Sequence, residues 1–286
     1  MTRHLSAYFS DALDHLEATA AHGDPTAIPT GFEELDALMA GGLRPGSLTV
    51  IASRPGMGRT TLMSDILRRS AIHAGRPVAA WTVEESGNEF TNRLLGAEAR
   101  VARHLLRAGT LDDDAWTRIA KVIPQIKDAP LYLATPAFLT MAEFAEEAAE
   151  LVRVQGVRLI AVDGIQDIRP EKRNDLRERE VGDVVRDLKT LARQLQVPVV
   201  ATSHLNRGPE QRTDKRPRLD DLRESGAITF AADLLILLHR EDYYERESPR
   251  AGEADLIVAK HRSGPTATLT VGFQGHYGRF VDIAVA

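Results

Sequence analysis

The chain has 286 residues, of which 43% are hydrophobic and 27% are charged, and its formal net charge is −5 at pH 7. These proportions are ordinary for a globular protein of one or two domains. The negative charge argues against tight binding of duplex DNA through a broad basic face, but it allows nucleic acid in a narrow, locally basic channel. The sequence contains no cysteine, which excludes disulfides and thiolate metal sites, and no membrane-spanning apolar run. With a polar N-terminus, these features favour a cytoplasmic protein.

Residues 4–20 are predicted to form one amphipathic helix, because apolar side chains recur on one face at helical spacing. Gly23 and Pro25 then predict a hinge. We therefore divide the chain into a linker helix and hinge at 1–25 and a second domain at 26–286. A lone helix of this length is marginal in water, so its apolar face needs a surface on its own domain or on a neighbouring subunit.

After the hinge, strand-like and helix-like segments alternate along the chain. The predicted strands are 48–52, 78–83, 131–134, 158–163 and 197–202. The predicted helices are 60–74, 87–100, 112–127, 140–155 and 178–196. This alternation predicts an α/β fold with a mostly parallel, twisted sheet covered by helices on both faces.

The C-terminal part has a different pattern from the alternating region. Segments 234–239, 254–260 and 267–273 read as strands without long helices between them. Arg262-Ser263-Gly264-Pro265 separates the last two and predicts an antiparallel hairpin at the sheet edge.

The segment between the first predicted strand and the helix after it, 53–61, is predicted to bind phosphate and is called the phosphate loop below. Loop N–H groups and the positive end of a helix dipole both attract an anion at such a place. Gly58 and Thr60 fit the pattern G-x-x-x-x-G-K-[ST], whereas Ser53 replaces its first glycine and Arg59 replaces its lysine. The predicted nucleotide-binding residues are Ser53, Arg54, Pro55, Gly56, Met57, Gly58, Arg59, Thr60 and Thr61. The alternative is a plain strand-to-helix turn.

Two acidic residues downstream supply candidate chemistry. Asp163 ends an apolar strand and, with the Thr60 hydroxyl, would complete a Mg²⁺ shell; otherwise it caps a helix or forms a turn. Glu84 follows another strand and is the candidate for orienting and deprotonating water. Its neighbour Glu85 is expected to be a solvated loop carboxylate.

Three further places carry polar groups whose roles stay open. Ser203 and His204 end a strand and could sense the γ-phosphate, although a strand-end histidine is the plainer interpretation. The segment 207–223 mixes basic and acidic residues without aromatic rings, so any contact with nucleic acid would be to phosphates. Lys260 and Arg262, beside the hairpin, could act on a neighbouring subunit's nucleotide or could simply be exposed.

Several stretches occur together in one order: Ile28-Pro29-Thr30-Gly31-Phe32, the phosphate loop, Val83-Glu84, Val162-Asp163-Gly164-Ile165-Gln166, Leu205-Asn206-Arg207, 221–228, 260–265 and 273–276. They resemble the C-terminal RecA-like motor domain of DnaB-type replicative DNA helicases over about residues 28–286. Residues 4–20 resemble the linker helix of that family, which docks on the adjacent subunit. The family's N-terminal domain, which engages primase, has no counterpart in the sequence.

The resemblance implies a hexameric ring that threads single-stranded DNA, unwinds duplexes in the 5′→3′ direction and is driven by ATP and Mg²⁺. Other replication proteins are candidate partners. By position, the resemblance implies that Thr60 and Asp163 bind Mg²⁺ and that Glu84 activates water. It implies that Lys260 and Arg262 act in trans on the nucleotide of a neighbouring subunit. It also implies that Gln166 and His204 couple the nucleotide state to the DNA loops, and that the DNA backbone is bound by Arg223, Glu224 and Gly226. The family has glutamine where His204 stands.

Arg59 is the departure with the largest consequence. Lysine is a compact point charge that fits between phosphates, whereas arginine is longer, planar and forked. We therefore expect ATP or ADP to bind with strongly reduced hydrolysis. This leaves an active helicase motor and a ring-forming, ATP-binding accessory protein that hydrolyses weakly or not at all. A RecA-fold signalling ATPase unrelated to DNA is a third possibility, against which the match at 221–228 speaks.

Overall fold

The computed structural model describes residues 4–171, 176–222 and 225–283, and its main feature is one large β-sheet. The strands are β1 (Leu48–Ser53), β2 (Val78–Thr82), β3 (Leu131–Ala134), β4 (Leu139–Thr140), β5 (Leu159–Asp163), β6 (Ile168–Arg169), β7 (Val199–His204), β8 (Leu234–His239), β9 (Glu253–His261), β10 (Ala267–Gln274) and β11 (Arg279–Asp282). Within the described ranges, the main sheet has nine strands in the order β11-β10-β9-β8-β1-β7-β5-β2-β3. The short strands β4 and β6 pair separately.

The part of the sheet from β8 to β3 is parallel and contains the predicted alternation of strands and helices. Each neighbouring pair there runs in the same direction. Every residue of β1, β2 and β5 is buried. Continuous apolar runs suit strands that are covered on both faces. The predicted mostly parallel sheet is therefore confirmed.

Helices lie on both faces of this sheet. In chain order, the helices of the described residues are α1 (Ser6–His22), α2 (Glu33–Leu38), α3 (Arg59–Arg68), α4 (Gly87–Ala99), α5 (Arg103–Ala108), α6 (Asp113–Lys127), α7 (Met141–Gln155), α8 (Arg177–Leu195), α9 (Gly208–Gln211) and α10 (Ser225–Ala231). One hydrophobic cluster contains side chains of α7 and α8, and a second contains side chains of α2, α3 and α4. The predicted helix 60–74 corresponds to α3 prolonged by a π-helical turn, Arg69–His73.

The antiparallel part of the sheet extends further than predicted. The hairpin of β9 and β10 is present, but β11 pairs with β10 and forms the edge of the sheet. The expectation that the hairpin itself lies at the edge was therefore wrong. The strand Arg279–Asp282 was missed because it has only four residues, of which two are apolar, and follows a turn.

Helix α1 does not pack on the rest of the described chain through its apolar face. Phe9 is 63% exposed and Leu16 is 62% exposed. The helix ends at Gly23, whose φ of 76° lies in the left-handed region that favours glycine. Of the two surfaces considered for this face, the one on its own domain is not used.

Asp255 on β9 forms a buried ion-pair network that we expect to stabilise the antiparallel strands. Its side chain is 2% exposed. Its oxygens lie 2.6 Å from an Arg250 nitrogen and 2.7 Å from an Arg216 nitrogen. Burial raises the pKa of Asp255, but hydrogen bonds from Arg250 and Arg216 outweigh this and hold the pKa below its ordinary value.

We expect Asp255→Asn to lower the free energy of unfolding at neutral pH by about 2–4 kcal/mol, since both guanidinium groups lose their counter-charge but keep some solvent. Because the folded-state pKa is depressed, this stabilisation is present above the unfolded-state pKa of about 3.9 and is lost as the pH falls through the folded-state pKa. Urea unfolding at several pH values measures both effects. The control is Glu150→Gln, which breaks an exposed pair with Arg153. An Asp255→Asn effect no larger than the control's would contradict the prediction.

Candidate nucleotide site

The phosphate loop joins the end of β1 to the start of α3, which gives the loop a fixed backbone path. Gly56 has φ 78° and Gly58, the N-cap residue of α3, has φ 106°. Both values favour glycine. A Cβ atom at Gly58 would also lie 3.0 Å from the Phe280 ring. The loop, β2, β7 and the C-terminal strands enclose an open cavity of about 450 Å³.

Arg59 begins α3, and its side chain extends across the cavity rather than staying inside the loop. Its guanidinium nitrogens lie 3.0 Å from His204 Nδ1 and 2.8 Å from His204 Nε2. One of them also lies 3.4 Å from Glu84 Oε1. The side chain is 8% exposed. Arg59 therefore connects the predicted water-activating carboxylate with the predicted sensor.

The protonation of His204 determines how this contact works. Burial and the Arg59 guanidinium lower the pKa of His204, although Glu84 acts in the opposite direction. The imidazole is therefore neutral near pH 7 and has one nitrogen that can accept a hydrogen bond, whereas the guanidinium has only donors. His204 thus accepts a hydrogen bond from Arg59, which fits the plainer interpretation of a strand-end histidine with its hydrogen bonds satisfied as well as it fits the predicted sensor.

Asp163, one of the two predicted magnesium ligands, has a buried carboxylate with one oxygen unpaired among the described residues. Its side chain is buried at the end of β5, and Oδ1 accepts a hydrogen bond of 2.5 Å from Thr202. Its Oδ2 atom is buried and has no hydrogen-bond partner among the described residues. Such an oxygen suits a hard cation or its bound water. Asp163 is close enough to His204 for its charge to raise the pKa of that imidazole, and His204 and Thr60 both line the cavity. The described residues contain no group of three or more acidic or histidine side chains placed for a metal, so the phosphates of a nucleotide would have to supply further ligands.

Glu84 and Glu85 have different surroundings. The Glu84 side chain is 42% exposed and faces the cavity beside Arg59. Glu85 is ion-paired with Arg93, and the expectation that it is a solvated carboxylate was wrong. Arg93 also donates a hydrogen bond of 3.1 Å to the Thr61 hydroxyl. Glu85 thus connects the end of β2 with α4 and, through Arg93, with the phosphate loop.

Gln166 joins the ends of β5 and β7. Its amide donates to the Ser203 hydroxyl at 3.0 Å, and its carbonyl oxygen accepts from the His204 backbone N–H at 3.4 Å. A displacement of the His204 backbone would therefore lengthen or break a hydrogen bond of Gln166. The role of Gln166 and His204 in sensing the nucleotide stays a prediction.

Sequence reasoning missed two arginines that line the cavity, Arg93 and Arg103. Both lie in helical segments rich in charged residues, where an arginine is expected to face solvent. The packing of α4 and α5 against the C-terminal strands turns their side chains toward the cavity. Conversely, the Arg54 side chain is bound to Glu210 at 2.8 Å and to the Leu205 carbonyl at 2.8 Å. It fastens the phosphate loop to the segment after β7.

Lys260 and Arg262 lie at the opposite end of the parallel strands from the phosphate loop. The Arg262 N–H donates to the Asp233 carbonyl, and the Asp233 N–H donates to the carbonyl of Leu48, the first residue of β1. Six residues of β1 therefore separate Arg262 from the loop, which is roughly 17 Å along the strand. The Arg262 side chain is half exposed and lies 3.2 Å from Asp233, far from the cavity of its own chain.

The same two cations contact the end of α10. Lys260 Nζ donates to the carbonyls of Thr229 at 2.6 Å and Phe230 at 3.1 Å. Gly226, on the same helix, lines one surface cavity with Lys260 and Arg262. The structure thus brings a predicted DNA-binding residue and the predicted trans-acting pair together.

Other predicted DNA contacts are only partly visible. Arg223 and Glu224 lie outside the described residues. In the preceding segment, Arg212 is ion-paired with Asp221, and Arg216 is ion-paired with Asp255. This mixed-sign segment is therefore held by internal ion pairs rather than being freely solvated.

A mostly parallel sheet, a glycine-bearing loop between β1 and α3 and a buried aspartate at the end of β5 define a RecA-like phosphate-loop nucleotide-binding domain. Comparison with known families gives the more specific assignment. The family model for the DnaB-like helicase C-terminal domain matches residues 27–282, and the chain belongs to this family.

The similar proteins include replicative helicases from several bacteria. The replicative DNA helicase DnaB of Leifsonia xyli subsp. xyli (strain CTCB07) is 47% identical over 274 residues, which are 96% of this chain and 60% of the relative. The replicative DNA helicase DnaC of Bacillus subtilis (strain 168) is 36% identical over 262 residues, which are 91% of this chain and 58% of the relative. The chain therefore spans about three fifths of the length of these two curated relatives.

Two solved structures share the fold over nearly the whole chain. One is a separately solved ATPase domain, with a TM-score of 0.92 at 30% identity and with 99% of this chain and 100% of that chain covered. The other is a DnaB-like replicative helicase, described with its interactions with primase, with a TM-score of 0.90 at 30% identity and with 99% of this chain and 68% of that chain covered. Among the described residues, no helix is both long and apolar enough to span a membrane.

Proposed function

We propose that this chain is the motor domain of a replicative DNA helicase, which couples ATP hydrolysis to movement along single-stranded DNA. The observation that carries the proposal is the position of Thr60 and Glu84 around one cavity, with the buried Asp163 at the end of β5, between β2 and β7, and Arg262 at the far end of the sheet. The first three suit one complete triphosphate site with a magnesium ion. Arg262 suits the same site of an adjacent copy.

The residues of the cavity would divide the work as follows. The N–H groups of the phosphate loop and of the first turn of α3 would bind the phosphates. Thr60 and Asp163 would hold Mg²⁺, which neutralises charge on the phosphate oxygens. Glu84 would orient the attacking water and accept its proton. Arg59, Arg93 and Arg103 would supply positive charge around the phosphates.

We further propose a hexameric ring around single-stranded DNA. Lys260 and Arg262 would reach the nucleotide of the next subunit, and the uncovered apolar face of α1 would dock on that subunit. Arg223, Glu224 and Gly226 would contact the DNA backbone, and Gln166 with His204 would pass nucleotide state to that loop. The similar structures include a helicase described with its interactions with primase, so primase and other replication proteins are candidate partners.

One observation favours a second candidate, a ring-forming ATP-binding protein with weak turnover. Arg59 lies 3.4 Å from the Glu84 carboxylate and holds it in an ion pair. A carboxylate oxygen that contacts a guanidinium group is less available to orient a water molecule, because the two compete for the same lone pairs. If a bound triphosphate fails to draw Arg59 away, Glu84 stays occupied.

Steady-state ATP hydrolysis with and without oligo-dT, measured beside the native mass with nucleotide, tests the proposal. We expect a hexamer whose hydrolysis rises on DNA addition. Glu84→Gln should retain ATP binding and lower the rate by about a hundredfold or more. Glu85→Gln is the matched control and should affect the rate less. Hexamers that bind DNA but do not hydrolyse ATP would establish the second candidate, and a monomer indifferent to DNA would overturn both.

A further inference from the structure

A second cationic cavity lies at the other end of α3 from the phosphate loop. It is lined by the side chains of Arg68, Arg69, His73, Arg76, Arg100 and Arg279, and we call it the arginine pocket. Helix α3 has ten residues, so the two cavities are roughly 15 Å apart along its axis. We propose that the arginine pocket binds ligands that carry two or more linked phosphate groups, such as pyrophosphate or a nucleoside polyphosphate.

The charge balance of the arginine pocket is positive. No acidic side chain lines it in the part of the chain that the structure describes. Among the described residues, the carboxylates that form ion pairs with its side chains are Asp65 and Glu98. Both pair with Arg68 at 2.7 Å, and Glu98 also lies 2.9 Å from His73. Five guanidinium groups therefore face two carboxylates, and both carboxylates are already engaged.

Helix ends account for only part of this surplus. The π-helical turn after α3 ends at the pocket, and α4 ends at Arg100. A helix C-terminus is equivalent to about half a negative charge, which favours nearby cations. Arg279 satisfies one such end, because it donates to the Ala97 carbonyl at 3.0 Å. Two helix ends together offset about one charge, so a positive excess remains.

Part of the pocket is held rigidly. Arg68 is 4% exposed and is fixed by Asp65 and Glu98. Asp65 in turn accepts a hydrogen bond of 2.6 Å from the Phe280 backbone N–H, which ties α3 to β11. Arg279 is fixed by Gln274 at 2.8 Å. Guanidinium groups held in place lose little freedom when an anion binds.

Other donors in the pocket remain available. Arg100 has no hydrogen-bond or ion-pair partner among the described residues, and its side chain is exposed. Arg76 has one weak contact, 3.5 Å to the Ala27 carbonyl. One guanidinium group can donate hydrogen bonds to two phosphate oxygens at once. Because the pocket has both fixed and unpaired guanidinium groups, it offers donors for several phosphate oxygens, which favours a chain of linked phosphates over a single phosphate.

The shape of the pocket argues for a small ligand rather than a DNA strand. Its volume is about 460 Å³, which is within the range of small-molecule sites. No phenylalanine, tyrosine or tryptophan among the described residues lines it, so it has no aromatic platform for stacking bases. Phosphate recognition without base stacking indicates a ligand identified by its phosphate chain.

The test is calorimetric titration of the full chain with pyrophosphate in low-salt buffer without Mg²⁺. We expect two binding events in the native protein, one at the phosphate loop and one at the arginine pocket. Arg76→Ala/Arg100→Ala should weaken binding at the arginine pocket by at least about tenfold, since each lost charge-assisted hydrogen bond is worth about that factor. Arg59→Ala/Thr60→Ala should weaken only the binding at the phosphate loop.

The matched control is Arg118→Ala/Arg153→Ala, which removes the same charge from two helix arginines outside the pocket, one partly and one largely exposed. Unchanged pyrophosphate binding in Arg76→Ala/Arg100→Ala would overturn the proposal, and so would an equal loss in the control. Titrations with ATP and with oligo-dT complete the test. A loss of oligo-dT binding without any loss of pyrophosphate binding would overturn it too, by assigning the pocket to nucleic acid. Arg100→Glu, at an exposed position, repeats the test if the double variant unfolds.

Discussion

Replacing Arg262 by alanine is expected to lower DNA-stimulated ATP hydrolysis by about a thousandfold, because a guanidinium that stabilises a transferring phosphate contributes at least that factor. ATP binding should change little, since Arg262 lies at the opposite end of β1 from the loop of its own subunit. A steady-state ATPase assay with oligo-dT, beside a nucleotide-binding titration, measures both quantities.

Mixing two inactive variants shows whether Arg262 acts between subunits. An Arg262→Ala subunit keeps its own cavity, and a Glu84→Gln subunit keeps its own Arg262. Where the two are neighbours in the right order, one complete site forms. We therefore expect mixed rings to recover a measurable fraction of native hydrolysis, although each variant alone is inactive. Mixtures no more active than the sum of their parts would show that Arg262 serves its own subunit.

Loss of structure is a separate explanation for an inactive Arg262→Ala variant, and the contacts of Arg262 make it testable. Its side chain is 52% exposed and lies 3.2 Å from Asp233. Exposed ion pairs contribute about 1 kcal/mol or less, so the melting temperature should stay close to the native value. Arg262→Lys keeps the charge but loses the fork and is expected to restore only part of the rate.

The sequence was sufficient for the parts of the fold that depend on continuous patterns. The strands Leu48–Ser53 and Leu159–Asp163 are apolar for most of their length because both faces of the sheet are covered, and such runs are distinctive. The turn at Gly58, where the backbone has a positive φ, is also indicated locally, because glycine favours that conformation. The resemblance then placed Thr60 and Asp163 at one site. Thr60 lines the cavity at the strand ends and Asp163 ends β5, and their shared magnesium role stays a prediction.

Long-range partners could not be predicted in the same way. Arg59 and His204 are 145 positions apart, and no local pattern connects them. Glu85 reads as solvated until α4 brings Arg93 beside it. The arginines of the second cavity come from three separate stretches of the chain, so their convergence is visible only after β11 has packed beside α3.

The effect of Arg59 on turnover is the second large prediction. We expect Arg59→Lys to raise the maximal rate of ATP hydrolysis by about a hundredfold, which is the usual size of one well-placed electrostatic contact in catalysis. Two changes contribute. A lysine ammonium is compact enough to lie between phosphates, and its loss of contact with Glu84 frees that carboxylate to act as a base.

Arg54→Lys is the matched control for this prediction. It makes the same chemical change within the phosphate loop, but the Arg54 side chain is bound to Glu210 and to the Leu205 carbonyl rather than to Glu84. Its rate should not rise. The measurement is steady-state hydrolysis at saturating ATP and oligo-dT, with binding measured separately so that a change in affinity is not read as a change in rate.

His204 decides what a negative result would mean. If Arg59→Lys hydrolyses ATP no faster than the native chain, Arg59 is itself a working cation of the site, held in place by the neutral His204 imidazole at 2.8 Å. His204→Gln should then lower the native rate, because the support of the guanidinium is altered, and should have little effect in the Arg59→Lys background. A rate increase in Arg59→Lys with no such coupling would instead identify arginine as an obstacle to hydrolysis and Glu84 as the group that it restrains.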